Sequence, residues 1–230
     1  MEPRRATKRL RILFFLSAIA LLGSATWASF GSPSASASSS PNTPKAFKVS
    51  ATDNIWGAGL STAPDPGGGG GGTLPVKVAL PADTSAVTFS DVKHAVSYES
   101  GESNGPDGDQ NAGFDMNISS NGGISGLMDT DVYLYLVGVF LDHDQPASAP
   151  ATLNFTNDHS FKSLSPELGQ VFFIGDGLTG TGTGTTQHFK VPKGATSLYL
   201  GFADANAGTG PCGYYGDNSG SLKGKVDFTS

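Results

Sequence analysis

Between residues 45 and 230, no run of twelve residues places apolar side chains at helical spacing, and this confines the chain to β structure. Short β-compatible runs fill the same span. Val76-Lys77-Val78-Ala79-Leu80 alternates, Ala86 to Tyr98 is long and β-compatible, and Val132 to Leu141 is continuously apolar, as in a buried strand. Val171 to Ile174, His188 to Val191, Ser197 to Phe202 and Leu222 to Phe228 follow. Turn residues separate them: Pro81-Ala82-Asp83, Asn121-Gly122-Gly123 and Pro192-Lys193-Gly194. Many short strands with Gly/Pro-rich turns predict an all-β, jelly-roll-like β-sandwich. Residues 45–230 are enough for one such domain.

The N-terminus reads differently. Arg4, Arg5, Lys8, Arg9 and Arg11 precede an apolar run, Ile12 to Leu22, and small residues follow. This is the three-part pattern of a secretory signal peptide, predicted over residues 1–28 with cleavage after Ala28 or Ala37. The run is too short to span a membrane as a helix. Residues 29–44 form a Ser/Ala/Pro-rich linker. The predicted destination is secreted, extracellular or periplasmic.

Processing also changes the charge. Residues 1–28 hold five of the 14 basic residues and one of the 20 acids, so the mature chain keeps nine lysines, no arginine and 19 acids, a net charge of −10. Nucleic-acid binding and a basic membrane-surface helix are excluded on these grounds. Cys212 is the only cysteine, so no internal disulfide or Cys-x-x-Cys zinc site exists. It is either a packed small residue or a thiol that cross-links two chains, which leaves an oligomer open. Gly67 to Gly72 lacks the spacing and the basic neighbour of a phosphate-cradling loop, and reads as a flexible surface loop.

Chemistry concentrates between Asp204 and Ser221, DANAGTGPCGYYGDNSGS. Asp204, Asn206, Asp217 and Asn218 bring side-chain oxygens, and the glycines let the backbone present carbonyls. Calcium takes six to eight oxygen ligands of these kinds, although the same residue types also make plain turns.

Tyr215-Gly216-Asp217-Asn218-Ser219-Gly220-Ser221, followed by a closing strand, resembles the C-terminal calcium loop of the PA-I type galactophilic bacterial lectins, which reads Tyr-Gly-Asn-Asn-Ser-Gly-Ser. Asp204, after Leu198 to Phe202, stands where that family has an aspartate after a strand. Lys48 to Asn54 resembles the family's first strand. Tyr98 followed by Gly105-Pro106-Asp107-Gly108-Asp109 is similar to a Tyr and a later Gly-Pro-Gln-Gly-Asp, and Gly169 to Gly175 to a strand ending Ile-Gly. Most of the stretch between Asp109 and Gly169 has no counterpart and predicts an inserted hairpin around residues 115–165.

The resemblance implies a galactose-binding-domain-like fold and a bound Ca2+. Its ligands would be the side chains of Asp204, Asp217 and Asn218 and the backbone carbonyls of Tyr98 and Tyr214. Two adjacent sugar hydroxyls, such as galactose presents, would complete the ion's shell. Asp217 stands where the family has asparagine. The family's His and Gln sugar contacts are missing after Asp109, where Gln110-Asn111-Ala112-Gly113 follows. Asp107 and Asp109, by their spacing from Tyr98, are the expected replacements, with Asp204 and Asp217 also touching sugar; His143 and Gln145 are the alternative.

The resulting expectation is a secreted, calcium-dependent carbohydrate-binding protein without catalysis. One rival is an extracellular β-sandwich in which calcium only rigidifies a loop. Another is a glycan-processing enzyme, since Glu99, Glu102 and Glu167 supply carboxylates. The residues show no Ser-centred elbow and bring no histidines together for a triad.

Overall fold

A computed structural model describes residues 43–230. The expected signal peptide and nearly all of the linker lie outside the described residues. The strands, in chain order, are β1 (Lys45–Ser50), β2 (Val76–Ala79), β3 (Ala86–Lys93), β4 (Val96–Ser97), β5 (Met116–Ile118), β6 (Leu127–Asp129), β7 (Val137–Leu141) and β8 (Leu153–Asn154). They continue with β9 (Ser163–Leu164), β10 (Phe172–Phe173), β11 (Leu178–Gly180), β12 (Thr183–Thr186), β13 (His188–Lys190), β14 (Ser197–Gly201), β15 (Thr209–Gly210) and β16 (Ser219–Thr229). Two 3₁₀ turns, Ile55–Gly57 and Asn206–Gly208, are the only helical elements among the described residues. The architecture is all-β with several sheets and sandwich-like.

One sheet runs β1-β16-β3-β13-β9, with β4 also on β16. The second runs β10-β7-β14-β2. β16 forms the backbone of the first. It pairs antiparallel with β1 from Lys45↔Val226 to Ser50↔Ser221, and with β3 from Lys223↔Lys93 to Thr229↔Ala86. Leu222, Val226 and Phe228 are buried at alternate positions, as a strand with one core-facing side requires. Phe140 (β7) stacks on Phe172 (β10), whose ring lies 5.3 Å from Phe189 (β13). Phe189 in turn meets Phe89 (β3) edge-on at 5.4 Å. This line of rings joins the two sheets. Each fully buried Phe contributes about 1.5–3 kcal/mol relative to exposure.

Every residue of the central strands β7 and β14 is buried, so the middle of the second sheet is covered on both faces. Part of the cover is the Ile55–Gly57 turn, which packs on both strands. Its Trp56 is fully buried and donates Nε1–H to the Ser125 carbonyl at 3.0 Å. Continuous apolar sequence in both strands follows from this two-sided burial.

The region around 115–165 is not one appended hairpin. β5 and β6 do pair antiparallel, inside a small sheet ordered β15-β5-β6-β8. β9 belongs to the first sheet, and β7 lies inside the second, between β10 and β14. The apolar stretch 132–141 is strand only from Val137. Val132 to Leu136 are buried without forming a strand, and Leu134 adopts φ 53°. Apart from an isolated bridge between Tyr133 and Asp109, burial accounts for their apolar character. No helix among the described residues is long and apolar enough to cross a membrane.

Candidate functional site

β14 leaves its sheet at Gly201 and delivers Asp204 into the interior. The Asp204 N–H donates to the Tyr215 hydroxyl at 3.2 Å, and that hydroxyl donates to the Phe202 carbonyl at 2.9 Å. Asp204 is 3% exposed. Its Oδ1 accepts from the Tyr133 hydroxyl and, at 2.8 Å, from the Ala205 N–H; its Oδ2 accepts from Asn218 Nδ2 at 2.7 Å. Asn218 Nδ2 also donates to the Ala51 carbonyl at 3.1 Å. Both amide protons are thus spent, and Asn218 Oδ1 is left buried with no hydrogen-bond partner. A buried acceptor without a donor is costly, about 1–3 kcal/mol, and calls for an explanation at the site.

Tyr98, Tyr214, Asp204 and Asp217 line one cavity of about 220 Å³, together with Glu99, Phe114, Tyr133, Asn206 and others. Four of the five expected ligands therefore border a common space, and the fifth, Asn218, is bonded to Asp204. No turn or loop backbone hydrogen bond among the described residues ends on the carbonyl of Tyr98 or Tyr214. No three His, Cys, Asp or Glu side chains cluster as a metal site among the described residues. The donor set here is instead two carboxylates plus amide and carbonyl oxygens, a mixture that suits calcium and not a soft metal. Burial pushes the Asp204 carboxyl up to about 7; the Tyr133 and Asn218 hydrogen bonds pull it down, and the Asp217 charge adds to the rise.

Three rings support this cavity. Tyr98, Phe114 and Tyr133 pack edge-to-face, with centroids 4.6 to 5.8 Å apart. The Tyr98 hydroxyl donates to Asp109 Oδ2 at 2.8 Å, and the Tyr133 hydroxyl is held by Asp204. Burial and the neighbouring carboxylates push both phenol pKa values up, so each stays a donor.

Comparison of the chain with known protein families, curated proteins and solved structures finds no match.

Asp107 and Asp109 do not line this cavity. They border a neighbouring cleft formed by residues 103–111 and Thr181. Asp109 reaches the site through its side-chain bond to Tyr98 and its backbone bonds with Tyr133, and its Oδ1 accepts from the Asn111 N–H. Asp107 Oδ1 accepts from the Asp176 N–H at 2.9 Å. The His143/Gln145 alternative also lies elsewhere. Gln145 spends its side chain on the Trp56 and Ala58 carbonyls and the Gly123 N–H, and His143 lines a separate proline-rich cavity. Cys212 is a buried free thiol that burial pushes up to about 12, so it is an unreactive packed residue.

The hexaglycine run is not a flexible loop. It lies against residues 211–216 as a backbone support. Gly67 N–H donates to the Cys212 carbonyl, Tyr214 N–H to Gly68, Gly216 N–H to Gly69 and Tyr215 N–H to Gly70. The Gly71 carbonyl accepts from Asn54 Nδ2. A Cβ on Gly69 would fall 2.7 Å from the Tyr214 ring, and one on Gly72 only 2.2 Å from the Thr52 carbonyl oxygen. Consecutive glycines let two backbones meet at this distance and so hold Tyr214, whose φ is 69°, in place. Composition revealed the glycines, but only the fold reveals the segment they meet. Tyr133 and Phe114 were likewise illegible, one inside an apolar run and the other in a loop without a motif.

Proposed function

We propose that this protein is a secreted, calcium-dependent carbohydrate-binding protein on a jelly-roll-like, galactose-binding-domain-like sandwich, resembling the PA-I type lectins. The observation that carries the reading is the pairing of the unpartnered, buried Asn218 Oδ1 with the desolvated Asp204 carboxylate beside a cavity bordered by Tyr98, Tyr214 and Asp217. Asp204, Asp217 and Asn218 would hold Ca2+ through side chains, and Tyr98 and Tyr214 through carbonyls. When bound, the ion supplies a Lewis-acidic point at which vicinal sugar hydroxyls replace water. The chain's own groups prepare this: the glycine run fixes Tyr214, Tyr215 fixes the backbone at Asp204, and Tyr133 and Asn218 orient its carboxylate.

Calorimetric titration of calcium tests the reading. Asp217→Ala removes a charged ligand, and its calcium affinity should fall at least tenfold. Ser219→Ala, next to the ligands but outside the set, should change it less than threefold. Equal affinities in the two variants would reduce the segment to a turn.

With the family's His and Gln missing, Phe114 is the sugar contact of this reading. Half-buried against Tyr98 and Tyr133, it adds apolar surface to the cavity beside the carboxylates of Glu99, Asp204 and Asp217. Sugar pockets need such surface to cover the C–H face of the ring. Phe114→Ala should weaken galactoside binding about tenfold in saturating calcium while calcium affinity stays within twofold. Phe114→Tyr should restore most of it. Loss of calcium affinity in Phe114→Ala would make the residue structural.

A further inference from the structure

A second cavity, of about 360 Å³, is built around a different set of polar groups: Asp107, Gln110, Asn157, His159, Thr179 and Thr181, over an apolar floor that includes Phe173. Its framework begins with Asp129 at the end of β6. Asp129 is fully buried, and its Oδ1 accepts from the Asp131 and Val132 N–H groups at 2.9 and 3.2 Å. Its Oδ2 lies 2.6 Å from His159 Nε2. The imidazole is wedged between Phe173, centroid distance 4.8 Å, and Tyr135, at 6.1 Å. An acceptor-only carboxylate at Nε2 accepts the hydrogen bond from that nitrogen, so Nδ1 is the ring nitrogen turned away from Asp129 and open to a ligand. No hydrogen bond engages Nδ1 among the described residues.

Asp107 lines the same cavity. Gly175 permits its close approach, since a Cβ there would sit 2.2 Å from Asp107 Oδ1. Oδ1 is satisfied by the Asp176 N–H, but Oδ2 is buried with no partner. Burial raises this carboxyl's pKa, ahead of the lowering by the Asp176 N–H and the Thr181 hydroxyl, and the Asp176 charge adds to the rise. No lysine lines the cavity. Asp107 thus has the Thr181 hydroxyl near it, but its Oδ2 makes no hydrogen bond of ordinary geometry, and Nδ1 of the ring, held by a buried carboxylate, has no protein partner among the described residues.

We infer that this cavity is a second binding site, separate from the calcium cavity, for a primary ammonium group on a small polar body, the chemistry of an amino sugar or a short diamine. The ammonium donates to Asp107 Oδ2 and to His159 Nδ1 and compensates the Asp107 charge. The hydroxyls and amides around it serve the rest of the ligand. The cavity volume lies within the range that encloses a molecule of monosaccharide size.

The test uses the purified protein in excess chelator, so it is independent of the calcium reading. D-glucosamine, N-acetyl-D-glucosamine and 1,4-diaminobutane are titrated, with the His159 imidazole followed by NMR and affinity by calorimetry. Glucosamine should bind and shift the His159 resonances, and N-acetylglucosamine should bind at least tenfold more weakly. Asp107→Asn, which keeps the shape and the Asp176 contact, should lose tenfold or more for glucosamine, while Asp217→Ala should lose nothing. A diamine that binds as well as or better than glucosamine assigns the site to free amines; a weaker one assigns it to amino sugars. Either result upholds ammonium recognition. Equal binding of the N-acetylated sugar, unchanged affinity in Asp107→Asn, or no His159 shift with either amine overturns the inference.

Discussion

Calcium is expected to raise the melting temperature of this protein, and to raise it more at pH 8 than at pH 5.5. A ligand held only by the native state adds about 2.7 kcal/mol at one hundred times its dissociation constant. For a domain of this size about 1 kcal/mol moves the midpoint by roughly 2–4 °C, so the expected gain at pH 8 is about 5–11 °C. The pH dependence comes from Asp204, whose carboxyl burial lifts to about 7 in the folded chain. Unfolded, it titrates near the ordinary ~3.9. Between these values the native state holds a proton that the unfolded state has released. Without calcium, this group therefore stabilises the fold below pH ~4, and that contribution is lost as pH rises through about 7. Calcium needs the ionised carboxylate. At pH 5.5 the proton competes, and the apparent affinity should be about thirtyfold weaker than at pH 8. Thermal scans in calcium and in chelator at the two pH values measure both effects. A calcium shift that is equal at pH 5.5 and pH 8 removes Asp204 from the ligand set, and no shift at either removes the metal. Magnesium should restore less than calcium, because it prefers a compact octahedron and keeps its waters.

The second large effect is expected at the glycine run. Gly72→Ala places a methyl group 2.2 Å from the Thr52 carbonyl oxygen and 2.8 Å from Tyr215 Cβ, at φ +71°. The left-handed backbone alone costs an alanine about 1–2 kcal/mol, and overpacking adds roughly 1–3 kcal/mol. A loss of about 2–5 kcal/mol in denaturant unfolding is expected, with calcium affinity falling as Tyr214 and Tyr215 shift. Gly68→Ala is the control: it has the same sign of φ, at +75°, but nothing lies within 4 Å of its Cβ. Its cost should be only the backbone part, about 1–2 kcal/mol. If both variants lose the same stability, the run is a loop with left-handed turns and not a support for residues 211–216.

Rigidity in this region matters because the proposed ligands come from distant points of the chain. Tyr98 follows β4, Asp204 follows β14, and Tyr214, Asp217 and Asn218 precede β16. β4 and β16 are hydrogen-bonded through Ser97↔Ser219 and Val96↔Gly220, which brings Tyr98 toward the last loop. β14 belongs to the other sheet, so the cavity joins the two. Hydrogen bonds from Asn218 to Asp204 and Ala51 tie them at that point.

The all-β character was determined by the sequence alone, because alternation and short apolar runs between turn residues leave no helical stripe. So was the concentration of oxygen donors from Asp204 to Asn218, because Asp, Asn and Gly are the residues that both turn a chain and present oxygens. Three features were decided only by the tertiary structure. Asp107 shares a cavity with His159 and not the one around Asp204, because its neighbours are set by the Asp176 N–H and by the space at Gly175, residues far along the chain. β7 became an interior strand, because an apolar run specifies burial but not which strands flank it. The hexaglycine became a support for the site, because the need for glycine arises from the second backbone that lies against it, and local sequence carries no trace of a distant partner.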